Sequence, residues 1–216
     1  MDIFFGRSFP GDIYIYKGLA DTPKAMFAKS PSGAYIINIT ATDRFWSQYI
    51  YQFSHEYCHV RTNHAMSNYR TQWFEEAICE LASIYTLIEV SRTWRVKPPY
   101  PNWRDFAGNF STYAEKLISD FRNNLPENVG FFDWFEENLP FLEADPYLRD
   151  KNAIVAIELL PIFQEHPSAW NSMTYWNIRS NGGGTVIHSC LKEWLSILPS
   201  KNIVGAVAIA EVFNSR

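Results

Sequence analysis

Apolar and polar residues alternate along the first forty positions and then take up a three- and four-residue rhythm. The stretch "DIYIYKG" alternates and is rich in β-branched and aromatic residues, and "AYIINIT" follows the turn signal "SPSG". Both predict strands of a small sheet. After Ile39, residues Phe45, Tyr49, Phe53, Tyr57 and Val60 recur at helical spacing, with Thr42 or Asp43 placed to cap. The spacing predicts a helix over about 43–62 with that stripe facing the core. The rhythm lapses in "VRTNHAMSNYRTQ", a connection, and returns in "WFEEAICELASIYTLIEV", a second helix. No helix crosses the "KPPYP" that follows.

Beyond that break the pattern is helical to the end. "RDFAGNFSTYAEKLISDFRNNL" puts Phe106, Phe110, Tyr113, Leu117 and Phe121 on one side, and "DKNAIVAIELLPIF", "SAWNSMTYW" and "TVIHSCLKEWLSIL" follow. "NGGG" at 181–184 is the one flexible point, and "NIVGAVAIAEVF" reads as a buried C-terminal helix. The expected class is α+β: a small N-terminal β-sheet packed on the first helix, then a mostly α-helical C-terminal lobe. The division falls into 1–96 and 97–216, two lobes sharing one unit.

Composition narrows the function. With 47% hydrophobic and 19% charged residues the chain can bury a real core. A net charge of -4 supplies no basic field to gather nucleic acid or anionic lipid, so neither a nucleic acid nor a membrane is expected as partner. Three cysteines, Cys58, Cys79 and Cys190, lack framework spacing and suit a reducing compartment as buried thiols. No signal-peptide pattern or spanning segment is visible, and the expected location is cytoplasmic.

One polar face breaks the otherwise apolar first helix. His55, Glu56 and His59 lie on it with Gln48 and Gln52, in the stretch "FSHEYCHV". Two histidines four apart on a helix reach one ion without distortion, and Zn²⁺ accepts neutral imidazole readily. A catalytic zinc site keeps three protein ligands and an open position at which water is acidified to a pKa of about 7. The second helix offers Glu75, Glu76 and Glu80 for the third ligand. If Glu76 binds, Glu80 lies one turn on along the same face, where it can accept the free ring N–H of a ligand histidine; Glu75 has Cys79 in that place and no comparable helper.

These residues resemble the gluzincin metallopeptidases, compact members of the group included, in which H-E-x-x-H on one helix is joined by a glutamate on the next. "HEYCH" supplies the first element, and "WFEEAICE" is similar to the W-x-x-E segment that carries the third ligand. The resemblance covers about residues 34–90. It implies a zincin-like fold with His55, His59 and Glu76 as metal ligands, Glu56 as general base and Glu80 as the orienting carboxylate. It also implies a peptide or protein substrate. Sixteen residues separate His59 from Glu76, fewer than in the larger enzymes of the group, and Glu80 is the substitute ligand.

Gluzincins commonly add a tyrosine or histidine from the C-terminal lobe to stabilise the oxyanion; Tyr147, Tyr175, His166 and His188 are the candidates here. His64 is expected in a surface loop, and the aromatic runs "FFDWF" and "MTYWN" in the core. "AYIINIT" is either an inner strand or the edge that pairs with an extended substrate. The expected function is zinc-dependent peptide hydrolysis; the alternative is a zinc-binding regulatory or interaction module with lost or restricted activity.

Overall fold

Both alternating stretches are strands in the computed structural model, which describes residues 4–6, 9, 11–122, 124–178 and 187–214. The class is α+β. The sheet holds β1 (Ile13–Lys17), the two-residue β2 (Lys24–Ala25) and β3 (Tyr35–Ile39) in the order β1-β3-β2. β1 runs parallel to β3 with Ile13 opposite Tyr35, and β2 runs antiparallel with Ala25 opposite Ile37. A strand as short as β2 leaves no periodicity to read. The buried amide of Asn38 fixes the approach to it, donating to the carbonyls of Ala20 and Thr22 and accepting from the Leu19 N–H.

Helix α1 (Trp46–Arg61) begins later than the pattern predicts, and neither Thr42 nor Asp43 caps it. Asp43 sits at φ 52° in a left-handed turn before the helix, and Phe45 occupies the capping position without a side-chain hydrogen bond. The predicted core stripe is also displaced. Phe45 is exposed and Tyr49 and Phe53 are half-buried, whereas Tyr51, Ser54, Tyr57, Cys58 and Val60 are buried. α1 lies between β3 and a second helix, so it buries two sides rather than one stripe.

That second helix, α2 (Gln72–Val96), extends to the proline break and is buried almost all round from Trp73 to Leu87. A helix apolar on every side belongs at the centre of a fold, and α2 packs against α1 as well as α3 (Ala107–Arg122) and α5 (Arg149–Glu165). In the sequence α4 (Phe131–Ala144) comes between these two, and α6 (Ala169–Met173), α7 (Ile187–Ile197) and α8 (Ile203–Val212) complete the helical part. Its core is aromatic: Phe74 meets Trp176 at 4.4 Å between ring centroids, and Phe163 meets Trp170 at the same distance. Trp134, Phe135, Met173 and Trp176 of the two aromatic runs are buried. α8 buries Gly205, Ala206, Ile209 and Ala210 but exposes Val204, so it is buried on one face only. The "NGGG" stretch lies outside the described residues. Among the described residues no helix is long and apolar enough to cross a membrane.

Candidate metal centre

His55 and His59 stand one turn apart on α1, with ring centroids 5.1 Å apart. From α2, Glu76 brings one carboxylate oxygen, Oε2, to 3.4 Å from His55 Nε2 and 3.5 Å from His59 Nε2. Ligand atoms about 2.0–2.2 Å from a tetrahedral zinc lie roughly 3.3–3.6 Å from one another. The two edges that meet at Glu76 Oε2 fall in that range. In the metal-free protein, burial pushes the Glu76 carboxyl up, but hydrogen bonds from His55 and His59 and the charge on these rings bring it well below the usual range.

A sulfur competes for the same place. Cys79 Sγ lies within 4.8 Å of ring nitrogens of both histidines. The thiol is fully buried, and burial, then the neighbouring Cys58, then Glu75 and Glu76 push its pKa well up. Binding metal through Cys79 means losing that proton beside two carboxylates, whereas the Glu76 carboxyl is held well below the usual range. His55, His59 and Cys79 form a second possible donor set beside that with Glu76. All three cysteines are free and buried.

Behind the histidines the two remaining glutamates exchange the importance expected of them. Glu75, only 1% exposed, accepts from His59 Nδ1 at 2.8 Å, from Thr62 Oγ1 at 3.0 Å and from Asn177 Nδ2 at 2.7 Å. It is therefore Glu75 that orients the His59 ring, holding a proton on Nδ1 so that Nε2 faces Glu76 and is the nitrogen a metal would take once its own proton leaves. Burial raises the Glu75 pKa and the His59 and Asn177 contacts more than reverse it; burial lowers that of His59 and the Glu75 and Glu76 contacts carry it well above the ordinary value. Helical spacing from Glu76 alone hid this role, because Glu75's other partners come from the loop after α1 and from a turn 102 residues away. Glu80 Oε2 stands 4.0 Å from His55 Nδ1, beyond hydrogen-bond reach. Its Oε1 accepts instead from the Tyr51 hydroxyl, which in turn accepts from Arg149 Nη2 at 2.7 Å.

Glu56 faces the clefts on either side of the histidines. Its Oε2 accepts the Ala25 N–H of β2 at 2.6 Å, which anchors the carboxylate beside the site. One cleft, about 230 Å³, is lined by His55, Glu56 and Glu76 together with Tyr51, Arg149 and Asn152. The other, about 310 Å³, reaches His59, Glu75 and His64. β3 is the inner strand, paired on both sides, so it cannot receive a substrate backbone; the strand at the cleft is β2. His64 is no surface-loop residue: it lines the second cleft, with Nδ1 3.1 Å from the His59 carbonyl and Nε2 buried without a partner.

Of the four oxyanion candidates only Tyr147 lines these clefts, its hydroxyl accepting from Gln72 Nε2 at 2.9 Å. His188 Nε2 is tied to the Phe213 carbonyl, His166 sits at the C-terminus of α5, and Tyr175 packs against the core. Sequence reasoning missed Tyr51, Arg149, Asn152 and Asn177. Tyr51 alone carried a signal, one turn before His55 on the same helix face. Comparison with protein-family models, with curated proteins and with solved structures returns no match.

Proposed function

We propose that the protein is a zinc-dependent peptidase with His55, His59 and Glu76 as metal ligands and Glu56 as general base. The observation that carries this reading is the meeting of the two Nε2 atoms and Glu76 Oε2 at 3.4 and 3.5 Å, the edge lengths of a tetrahedral ion. Clefts on both sides favour an enzyme over a closed structural site. When bound, zinc supplies Lewis acidity, polarising a substrate carbonyl and acidifying water at its open position.

The chain's own residues do the rest. Glu75 holds His59 in the tautomer that presents Nε2. Glu56, pinned on one oxygen by Ala25, has the other free to take a proton from the attacking water and pass it to the departing nitrogen. The C–N bond breaks, the hydroxyl joins the acyl carbon, and the proton ends on the amine. Tyr147 overhangs the clefts and can donate its phenol hydrogen to a developing oxyanion. The test is bound zinc and peptide cleavage in wild type and Glu56→Gln. The variant should keep its metal and lose activity by about 10²–10⁴-fold. Cleavage that survives the substitution removes Glu56 from the mechanism.

A further inference from the structure

The cleft on the Tyr51 side of the histidines holds two polar groups that the proposed hydrolysis leaves unused. Arg149, at the first position of α5, reaches over Tyr51 and donates Nη2 to its hydroxyl at 2.7 Å. Among the described residues that is its only hydrogen bond, and it has no ion pair. A guanidinium carries five N–H donors in a planar fork suited to a carboxylate. Asn152, one turn further along α5, is 4% exposed. Its Nδ2 donates to the Pro146 carbonyl at 2.7 Å, and its Oδ1 is buried with no partner. A buried acceptor left unsatisfied costs about 1–3 kcal/mol, so an N–H donor is wanted there.

Both residues line the same cleft as His55 and Glu76. The cleft thus offers a guanidinium with N–H donors to spare and an amide oxygen without a partner, beside the proposed metal position. Its other walls are Pro23, Tyr51, Gln52, Glu56, Glu80 and Tyr147, so Arg149 is the one cation that can meet an anion there. Its volume of about 230 Å³ is below the roughly 300–1,000 Å³ of pockets for drug-sized ligands, and it suits one residue rather than an extended chain.

We propose that this cleft binds the C-terminal residue of a peptide, with Arg149 pairing with the free carboxylate and Asn152 Oδ1 accepting the backbone N–H. The inference rests on the peptidase reading and gives its substrate class: peptides with an unblocked C-terminus. An internal segment of a protein presents no carboxylate to Arg149 and leaves the guanidinium without its partner. Arg149 is here a specificity-determining residue.

Two measurements test it. Calorimetry compares N-acetyl-phenylalanine with its amide, on protein as purified and after chelation, in wild type, Arg149→Met and Tyr51→Phe. Wild type should bind the acid roughly 10- to 100-fold more tightly than the amide, the range of a charge-assisted hydrogen bond. Arg149→Met should abolish the difference. Tyr51→Phe, which removes the Arg149 contact but keeps the guanidinium, should retain it. Equal binding of acid and amide by wild type, or a preference that survives Arg149→Met, overturns the proposal. Cleavage of the same peptide as free acid and as amide separates the two readings. Acid-selective binding without cleavage upholds the subsite and removes the peptidase reading; equal cleavage of both forms upholds the peptidase and removes the subsite.

Discussion

Replacing Glu75 by alanine tests which carboxylate orients the site. The substitution strands three donors: His59 Nδ1, Thr62 Oγ1 and Asn177 Nδ2. Thr62 has an alternative, because its hydroxyl already lies 3.1 Å from the His59 carbonyl. Two buried donors remain unsatisfied, at about 1–3 kcal/mol each, so the metal-free protein should lose roughly 2–6 kcal/mol of stability. With its Nδ1 proton untethered, His59 turns and changes tautomer freely, and zinc affinity should fall about 10- to 100-fold, or roughly 1.4–2.7 kcal/mol. Glu75→Gln should fall between wild type and alanine. Its amide oxygen still serves His59, and Asn177 can turn to offer an Oδ1 that now has no partner. Urea unfolding of chelated protein gives the first quantity, and competition with a chromophoric chelator gives the second. Glu80→Ala is the control, since its carboxylate stands 4.0 Å from His55 Nδ1. If Glu80→Ala weakens zinc binding and Glu75→Ala does not, the tautomer argument is refuted.

Cys79→Ser against Glu76→Gln decides between the two donor sets: zinc should stay bound in the serine variant and be lost in the glutamine variant, as read by metal content after dialysis. The reverse pattern assigns the sulfur as ligand. Tyr51→Phe removes the hydroxyl between Arg149 and Glu80, leaving a buried carboxylate short of a donor, and should cost about 1–3 kcal/mol in thermal or urea unfolding. The same variant has a pH signature. Burial and then the Glu80 charge raise the Tyr51 pKa above its ordinary 10.0. The folded state therefore keeps a proton that the unfolded state releases, so this stability is whole below pH 10 and is lost as pH rises beyond it. Tyr51→Phe should flatten the alkaline limb of the stability curve, and an unchanged limb would contradict the assignment.

The sequence exposed the parts of the site that lie within helical reach of one another. His55 and His59 follow from a four-residue step, and Glu76 with Glu80 from another. What it concealed is set by tertiary packing. Asn177 reaches Glu75 from 102 positions away, and Arg149 reaches Tyr51 from 98. The stripe Phe45 to Val60 misjudged α1 because periodicity identifies one apolar face, whereas a helix packed between sheet and helix buries two. Of the two readings of β3, the inner strand holds, and the strand beside the cleft went unread for a similar reason. "AYIINIT" is long enough to read and sits inside the sheet, while the strand at the cleft, Lys24–Ala25, is too short to show a period.

Charge gives a separate reason to expect a divalent cation at this position. The two clefts are lined by four carboxylates, Glu56, Glu75, Glu76 and Glu80, and by two permanent cations, Lys24 and Arg149. Lys24 and Arg149 are solvent-exposed, while Glu56, Glu75 and Glu80 are buried. Packing that many acids into a low-dielectric interior is costly unless they are neutralised. The deficit of two charges is that of one Zn²⁺. In the metal-free protein part of the deficit falls on His59, whose raised pKa makes it take up a proton that metal must displace. On the proposed reading, folding and metal binding are linked. Zinc at one hundred times its Kd should add about 2.7 kcal/mol to stability, and a chelator should remove it. Were the melting temperature indifferent to chelation in protein shown to contain zinc, the four carboxylates would have to be balanced by some other means, and the metal would lie elsewhere.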